Sequence, residues 1–130
     1  VSLTFRRPSQ GELPLPLDCT HLRAGELLIA SVDGEIDMAT APRFVHHVEE
    51  LLAERRVAVI ADLTEVSFLG AAGVVGLLTL TAAAQAADVP FCVVTGQRAV
   101  LRPLQVTAVD RVVVVHATFE RAHAWLNGQA

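Results

Sequence analysis

The chain has 130 residues, 52% of them hydrophobic and 18% charged. That is long enough for one ordinary core and too apolar for a disordered chain. A net charge of −4, ten scattered basic residues that are all Arg, and only two cysteines exclude a general nucleic-acid binder, a polybasic membrane patch, a disulfide scaffold and a four-cysteine zinc site.

The absence of Lys also removes Schiff-base chemistry and the lysine of a phosphate-binding loop. No apolar run follows Arg6 and Arg7, so no export signal is read. A cytoplasmic setting with Cys19 and Cys92 as reduced thiols is then expected, Cys92 as a small core residue.

Residues 1–16 contain Pro8, Gly11, Pro14 and Pro16 and read as a flexible arm, leaving 17–130 as a single domain. Leu17 to Arg23 and Leu27 to Val32 flank Ala24-Gly25-Glu26, which predicts a β-hairpin; Asp33-Gly34 is expected to break its second strand. Thr40 suits an N-cap and Pro42 the first turn of a helix. Phe44, Val48, Leu51 and Leu52 then recur at helical spacing, with Arg43, His47, Glu50 and Glu54 on the other side.

Val57 to Ala61 is a continuous apolar run, as a strand covered on both faces requires. Glu65 to Leu69 reads as a loop, and a long helix starts near Ala71. Val66 to Ala87 carries no charge and is long enough to raise a transmembrane reading. Three glycines, the Ala82-Ala83-Ala84 run, Ser67, Thr79, Thr81, Gln85 and acidic flanks argue instead for a helix packed inside an α/β core. Phe91 to Val94 is a short buried strand. Ala99 to Val106 is helical and kept short by Pro103. Val112 to Val115 predicts a last strand, and Phe119, Ala122, Trp125 and Leu126 mark a C-terminal helix. The order β-β-α-β-α-β-α-β-α implies an α/β fold with a largely parallel sheet and right-handed crossovers.

Catalytic and metal-ligating patterns do not assemble. The five histidines form no HExxH motif, and His46-His47 diverge on their helix. There is no G-x-S-x-G elbow. Gly70 to Gly76 has the wrong glycine spacing for a dinucleotide turn. Asp33, Glu35 and Asp37 follow a Gly-containing turn, where an acidic surface or a helix cap is the first expectation. No cofactor, metal or enzymatic activity is expected.

Three segments then meet in the right order. Gly34-Glu35-Ile36-Asp37-Met38-Ala39-Thr40-Ala41-Pro42 resembles the "GELDLATAP" of STAS domains. Ala61 to Leu69 resembles their "LDLSGVTFID", and Thr107-Ala108-Val109-Asp110-Arg111-Val112 is similar to the "TGLDRL" before their last strand. The resemblance runs from about Leu17 to Leu126 and is nearest to bacterial anti-sigma factor antagonists. It implies a mixed, mostly parallel sheet with an N-terminal antiparallel hairpin and about four helices. It also implies a non-catalytic module that binds an anti-sigma factor, often a serine kinase, and so releases a sigma factor.

In those antagonists the switch is a serine in an Asp-Ser-Ser-Gly motif at the start of the second helix. The four positions here are Gly70, Ala71, Ala72 and Gly73. Ala72 stands at the phosphoacceptor position and has no oxygen to attack a γ-phosphate. The partner-binding residues implied by the resemblance are Gly34, Glu35, Asp37, Phe68, Gly70, Ala71, Ala72, Gly73 and Val75. Thr64, Ser67 and Thr79 are poorly placed substitutes for the missing hydroxyl. Each apolar residue of this helix start also fits an ordinary core contact, but a helix with no charged face must meet a partner wherever its neighbours leave it uncovered. Two other roles fit the same resemblance: a subunit docked on a membrane transporter, or a sensor holding a nucleotide or lipid near Gly70 to Gly73.

Overall fold

A computed structural model describes residues 17–55 and 58–128. The expected arm at 1–16, and Val57 at the expected strand start, lie outside the described residues. The elements are β1 (Leu17–Ala24), β2 (Leu27–Ile36), α1 (Ala41–Leu52), β3 (Ala58–Leu69), α2 (Ala71–Ala87), β4 (Phe91–Val94), α3 (Arg98–Val106), a short 3-10 turn (Val109–Arg111), β5 (Val115–His116) and α4 (Phe119–Asn127). One five-stranded sheet takes the order β1-β2-β3-β4-β5. β1 and β2 are antiparallel, and every later neighbour is parallel. Each crossover therefore advances by one strand and carries one helix.

Alternation along the central strands divides the core in two. Leu28, Ala30, Val59, Ala61 and Val93 point to a large cluster completed by Phe44 and Val48 of α1, Leu77 and Leu80 of α2, and Val100 and Leu104 of α3. Ile29, Ile60, Cys92 and Val94 point the other way, to a small cluster closed by Phe119, Ala122, Trp125 and Leu126 of α4. Both faces of the central strands are covered, which is why Val59-Ile60-Ala61 shows no polar alternation.

Three boundaries differ from the sequence expectation. β2 does not break at Asp33-Gly34: two register shifts absorb these residues and the strand runs on to Ile36. Gly34 adopts φ +122, a conformation that strains a side-chain-bearing residue. The expected loop Glu65 to Leu69 is the second half of β3, where buried Val66 and Leu69 are interrupted by exposed Glu65, Ser67 and Phe68. The polar interruptions record a sheet face left open, not the end of pairing. The last strand is only Val115–His116, because the β-branched run begins inside a turn: the Val112 and Val113 amides both donate to the Val109 carbonyl. Pro103 sits within α3, and that helix is nine residues long.

α2 is apolar all round yet not wholly covered. Gly73, Val74, Gly76, Leu77, Leu80, Thr81 and Ala84 are buried, while Ala71, Val75, Thr79, Ala82 and Ala86 form an exposed ridge. Among the described residues no helix is long and apolar enough to cross a membrane.

Candidate functional site

The parallel pairing of β2 with β3 ends at Ile36 opposite Leu69, with Glu35 opposite Phe68. The chain leaves β3 straight into α2 through Gly70, whose N–H donates to the Ile36 carbonyl at 2.8 Å. The β2–α1 loop and the start of α2 are thus held side by side at one end of the sheet.

The β2–α1 loop is fixed by Asp37. Its carboxylate accepts from the Ala39 and Thr40 amides at 2.9 and 3.0 Å, and its carbonyl accepts from the Ala41 amide at 2.8 Å. Thr40 stands at the N-cap position, as its sequence context suggested, but its hydroxyl does not cap the helix amides. It donates to the Glu35 carbonyl at 2.7 Å and accepts from the Asp37 amide at 2.9 Å, folding the loop back on β2. At the helix start the Ala41 amide is taken by the Asp37 carbonyl, and the Arg43 and Phe44 amides by the Thr40 carbonyl. Glu35 is exposed and Asp37 half-buried.

Two glycines allow α2 to sit close. A Cβ at Gly73 would overlap the Leu69 side chain and come within 2.8 Å of Ile36 Cγ2. A Cβ at Gly76 would lie 2.8 Å from Val45 Cγ2 of α1. Gly73 therefore permits the close packing at the helix start. The helix begins with Gly70 at the N-cap, whose carbonyl accepts from Gly73 and Val74, so Ala71 and Ala72 lie in the first turn.

The structure brings Gly70 to Gly73, Phe68 and the Gly34-to-Asp37 segment to this one end, with Val75 one turn further along α2. Ala71 is exposed and Ala72 half-buried, so position 72 borders solvent. Phe68 is 47% exposed and Val75 60% exposed, values far from those of core residues. Gly34 and Gly73 act through the backbone and through packing. Met38, 83% exposed in the β2–α1 loop, is a further apolar surface residue at this end. It lies inside the Gly34-to-Pro42 segment but was not among the residues expected to meet a partner; its long unbranched apolar side chain directly after Asp37, in a turn-forming stretch, was the available signal. Of the hydroxyls near this end, Thr64 donates to the Asp62 carboxylate at 2.7 Å and Ser67 to the Gly34 carbonyl at 3.3 Å.

The corner carries no charge from Val66 to Val75 and is apolar there apart from Ser67, with Glu35 at its border. It offers no nucleophile with a base beside it. Among the described residues no group of three or more His, Cys, Asp and Glu side chains could hold a metal ion. Cys92 is fully buried, and burial pushes its thiol up to about 12. Burial also raises the Cys19 thiol, against the pull of Arg43.

Known proteins bear on the family and the fold. The sequence profile of the STAS domain family matches residues 19–122. The anti-sigma-F factor antagonist RsfB of Mycobacterium tuberculosis is 29% identical over 100 residues, covering 77% of this chain and 81% of RsfB. A crystal structure of an anti-sigma factor antagonist from Mycobacterium paratuberculosis superposes with a TM-score of 0.75 at 28% identity, covering 88% of this chain and 99% of that one. Unphosphorylated SpoIIAA of Bacillus shares the fold, with a TM-score of 0.68 at 15% identity over 85% of this chain and 97% of its own. The chain belongs to the STAS domain family and is similar over most of its length to anti-sigma factor antagonists.

Proposed function

We propose that this protein is a non-catalytic regulatory module of the anti-sigma factor antagonist kind, and that its docking surface is the corner formed by Phe68, Ala71, Ala72 and Val75 with the Glu35-to-Met38 loop beside it. It binds an anti-sigma factor and lowers the concentration free to sequester a sigma factor. The exposure of Phe68 and Val75 on an uncharged helix start carries the reading: apolar side chains left in water beside a packed scaffold gain most by being covered. Similarity to RsfB, named an anti-sigma-F factor antagonist, supports the choice of partner class.

Position 72 also bears on regulation. A phosphoryl group adds nearly two negative charges at one point. At position 72 it would stand in the first turn of α2, where amides tolerate an anion but an apolar partner surface does not. Ala72 offers a methyl group, so the corner stays available whatever a partner kinase does. Glu35 and Asp37 act first on the loop and second on the partner.

Calorimetric titration against the anti-sigma factors of the same genome tests the reading. Binding to one of them at micromolar affinity or better is expected; no binding to any refutes it. Restoring the motif as Gly70→Asp, Ala71→Ser and Ala72→Ser should make the chain a substrate of the kinase among them, with phosphoryl transfer abolishing the complex.

A further inference from the structure

β1 stands at the edge of the sheet, beside β2. Side chains alternate along it, so Leu17, Cys19, His21 and Arg23 share the face on which α1 packs. α1 reaches that face at successive turns. Arg43 donates through Nη1 to the Leu17 carbonyl at 2.9 Å, and His47 Nε2 bonds to the Thr20 carbonyl at 3.2 Å. Just past the helix end, Glu54 Oε1 accepts from Arg23 Nη2 at 2.6 Å. Between these contacts the rings of His21 and His47 meet, with centroids 5.4 Å apart and planes inclined by 49°. His46 turns elsewhere, to Glu50 Oε2 at 3.4 Å.

The hydrogen bond to Thr20 sets the chemistry of the pair. A carbonyl only accepts, so His47 Nε2 carries the proton and Nδ1 keeps its lone pair. A backbone carbonyl on one ring nitrogen is also what commonly orients a metal-ligating histidine and fixes its tautomer. The spacing agrees: two imidazoles on a tetrahedral ion, with metal–nitrogen bonds of about 2.0–2.1 Å, hold their centroids about 5.2 Å apart. The 49° inclination is neither the offset-parallel nor the perpendicular arrangement that ring–ring attraction favours. His21 is exposed, so its ring turns without disturbing the core. The flanking cations are engaged, Arg23 by Glu54 and Arg43 by the Leu17 carbonyl. Cys19 lies on the same side of β1 but packs against the large core cluster.

We propose that His21 and His47 form a two-imidazole chelate for a divalent transition-metal ion of the zinc and copper kind. His47 Nδ1 and a ring nitrogen of His21 are its protein ligands, and water fills the remaining positions. Imidazole suits Zn²⁺, Cu²⁺ and Ni²⁺, whereas Mg²⁺ and Ca²⁺ take oxygen ligands. One ligand stands on the edge strand and the other on α1, so the bound ion pins that helix to β1. An ion held by the folded chain in this way stabilises it against unfolding. The inference does not rest on the anti-sigma reading, because neither histidine belongs to the Phe68-to-Val75 corner.

Titration of the full chain with ZnCl₂, followed by imidazole nitrogen–proton NMR correlations, tests it. Zinc should shift His47 Nδ1 while Nε2 keeps its proton, and the His21 ring should shift over the same zinc range. Saturating zinc should raise the melting temperature by about 3 °C or more, and MgCl₂ should not. Zinc affinity should fall at least about tenfold in His21→Ala and in His47→Gln. The Gln amide still donates to the Thr20 carbonyl but offers no ring nitrogen, so this variant separates the chelate from the fold. His46→Ala and Cys19→Ser should bind zinc as the parent does. No shift at either ring up to about 1 mM zinc overturns the proposal, as does parent affinity in either His21→Ala or His47→Gln. A loss in His46→Ala overturns it by assigning the ion to His46 and Glu50, and a loss in Cys19→Ser by assigning it to the thiol.

Discussion

The main-chain N–H of Gly70 donates to the carbonyl of Ile36 at 2.8 Å, tying the first residue of the α2 cap to the last residue of β2. One hydrogen bond thus joins the Gly34-to-Pro42 segment to the start of Gly70-to-Gly73. It also fixes where the exposed side chains stand: Phe68 precedes the tie on β3, and Ala71, Ala72 and Val75 follow it on α2.

The tie depends on close packing by Gly73. In Gly73→Ala the new methyl meets Leu69 and Ile36 Cγ2. Overpacking costs about 1–3 kcal/mol, against a helix-propensity gain of about 1 kcal/mol. Net destabilisation is expected, and a larger one for Gly73→Val. Ala71→Ser, at an exposed neighbouring position, should stay within about 0.5 kcal/mol of the parent. Urea unfolding monitored by circular dichroism decides; a Gly73→Val chain as stable as the parent contradicts the packing.

Asp37 braces the loop that leads into α1, and no side chain caps the helix itself. Asp37→Ala removes the acceptor of the Ala39 and Thr40 amides, and the expected cost is about 1 kcal/mol, the usual net scale for losing a side-chain hydrogen bond. Asp37→Asn keeps an acceptor oxygen and should cost less. Equal losses for the two variants in the same unfolding assay would mean that the carboxylate charge, not the hydrogen bonding, matters.

Alkaline stability reports on Cys92. Its thiol is pushed from 9.0 up to about 12 by burial, so the folded chain keeps a proton that the unfolded chain releases. The stability this represents is fully present below pH 9 and is lost as pH rises toward 12, at about 1.4 kcal/mol per pH unit. The chain contains neither Lys nor Tyr, which leaves this window almost clear of other side-chain titrations. In a Cys19→Ser background, urea midpoints should fall between pH 8 and about pH 10.5. Cys92→Ala should abolish most of that fall while being less stable at pH 8. A parent midpoint that does not change across the window contradicts the burial of the thiol.

Much of the fold was legible because its determinants are local and periodic. The hairpin showed in the turn Ala24-Gly25-Glu26, α1 in Phe44, Val48, Leu51 and Leu52, and the doubly covered strand in Val59-Ile60-Ala61. The extensions of β2 and β3 were hidden for one physical reason. Beyond Val32 and Ala61 one sheet face is open, so Asp33, Thr64, Glu65 and Ser67 are polar within pairing strands, and polarity there imitates a loop. The split of Val112 to Val115 was hidden because β-branched residues serve equally in a buried turn, where Val113 is 1% exposed. The site was legible only through the three family-like segments. Nothing in their composition shows that Phe68 and Val75 face water while Val66 and Val74 do not; that depends on which ridge of α2 its neighbours cover.

Exposure also separates binding from stability. Phe68→Ala and Val75→Ser should lower stability by less than about 1 kcal/mol, whereas Phe44→Ala in the core should cost about 3–5 kcal/mol. If the corner is a docking surface, the two exposed substitutions weaken partner binding by tenfold or more despite that small effect. If Phe68→Ala instead unfolds the chain, the residue is structural and the surface is misplaced.

The most direct measurement is calorimetric titration of the cognate anti-sigma factor with three chains: the parent, Ala72→Glu and Thr79→Glu. Ala72→Glu puts one charge at the phosphoacceptor-equivalent position, and Thr79→Glu puts the same charge two turns along the exposed ridge of α2. The account predicts tight binding by the parent and a loss of at least about tenfold, or 1.4 kcal/mol, for Ala72→Glu, with a smaller loss for Thr79→Glu. Parent affinity retained by a folded Ala72→Glu chain would contradict it.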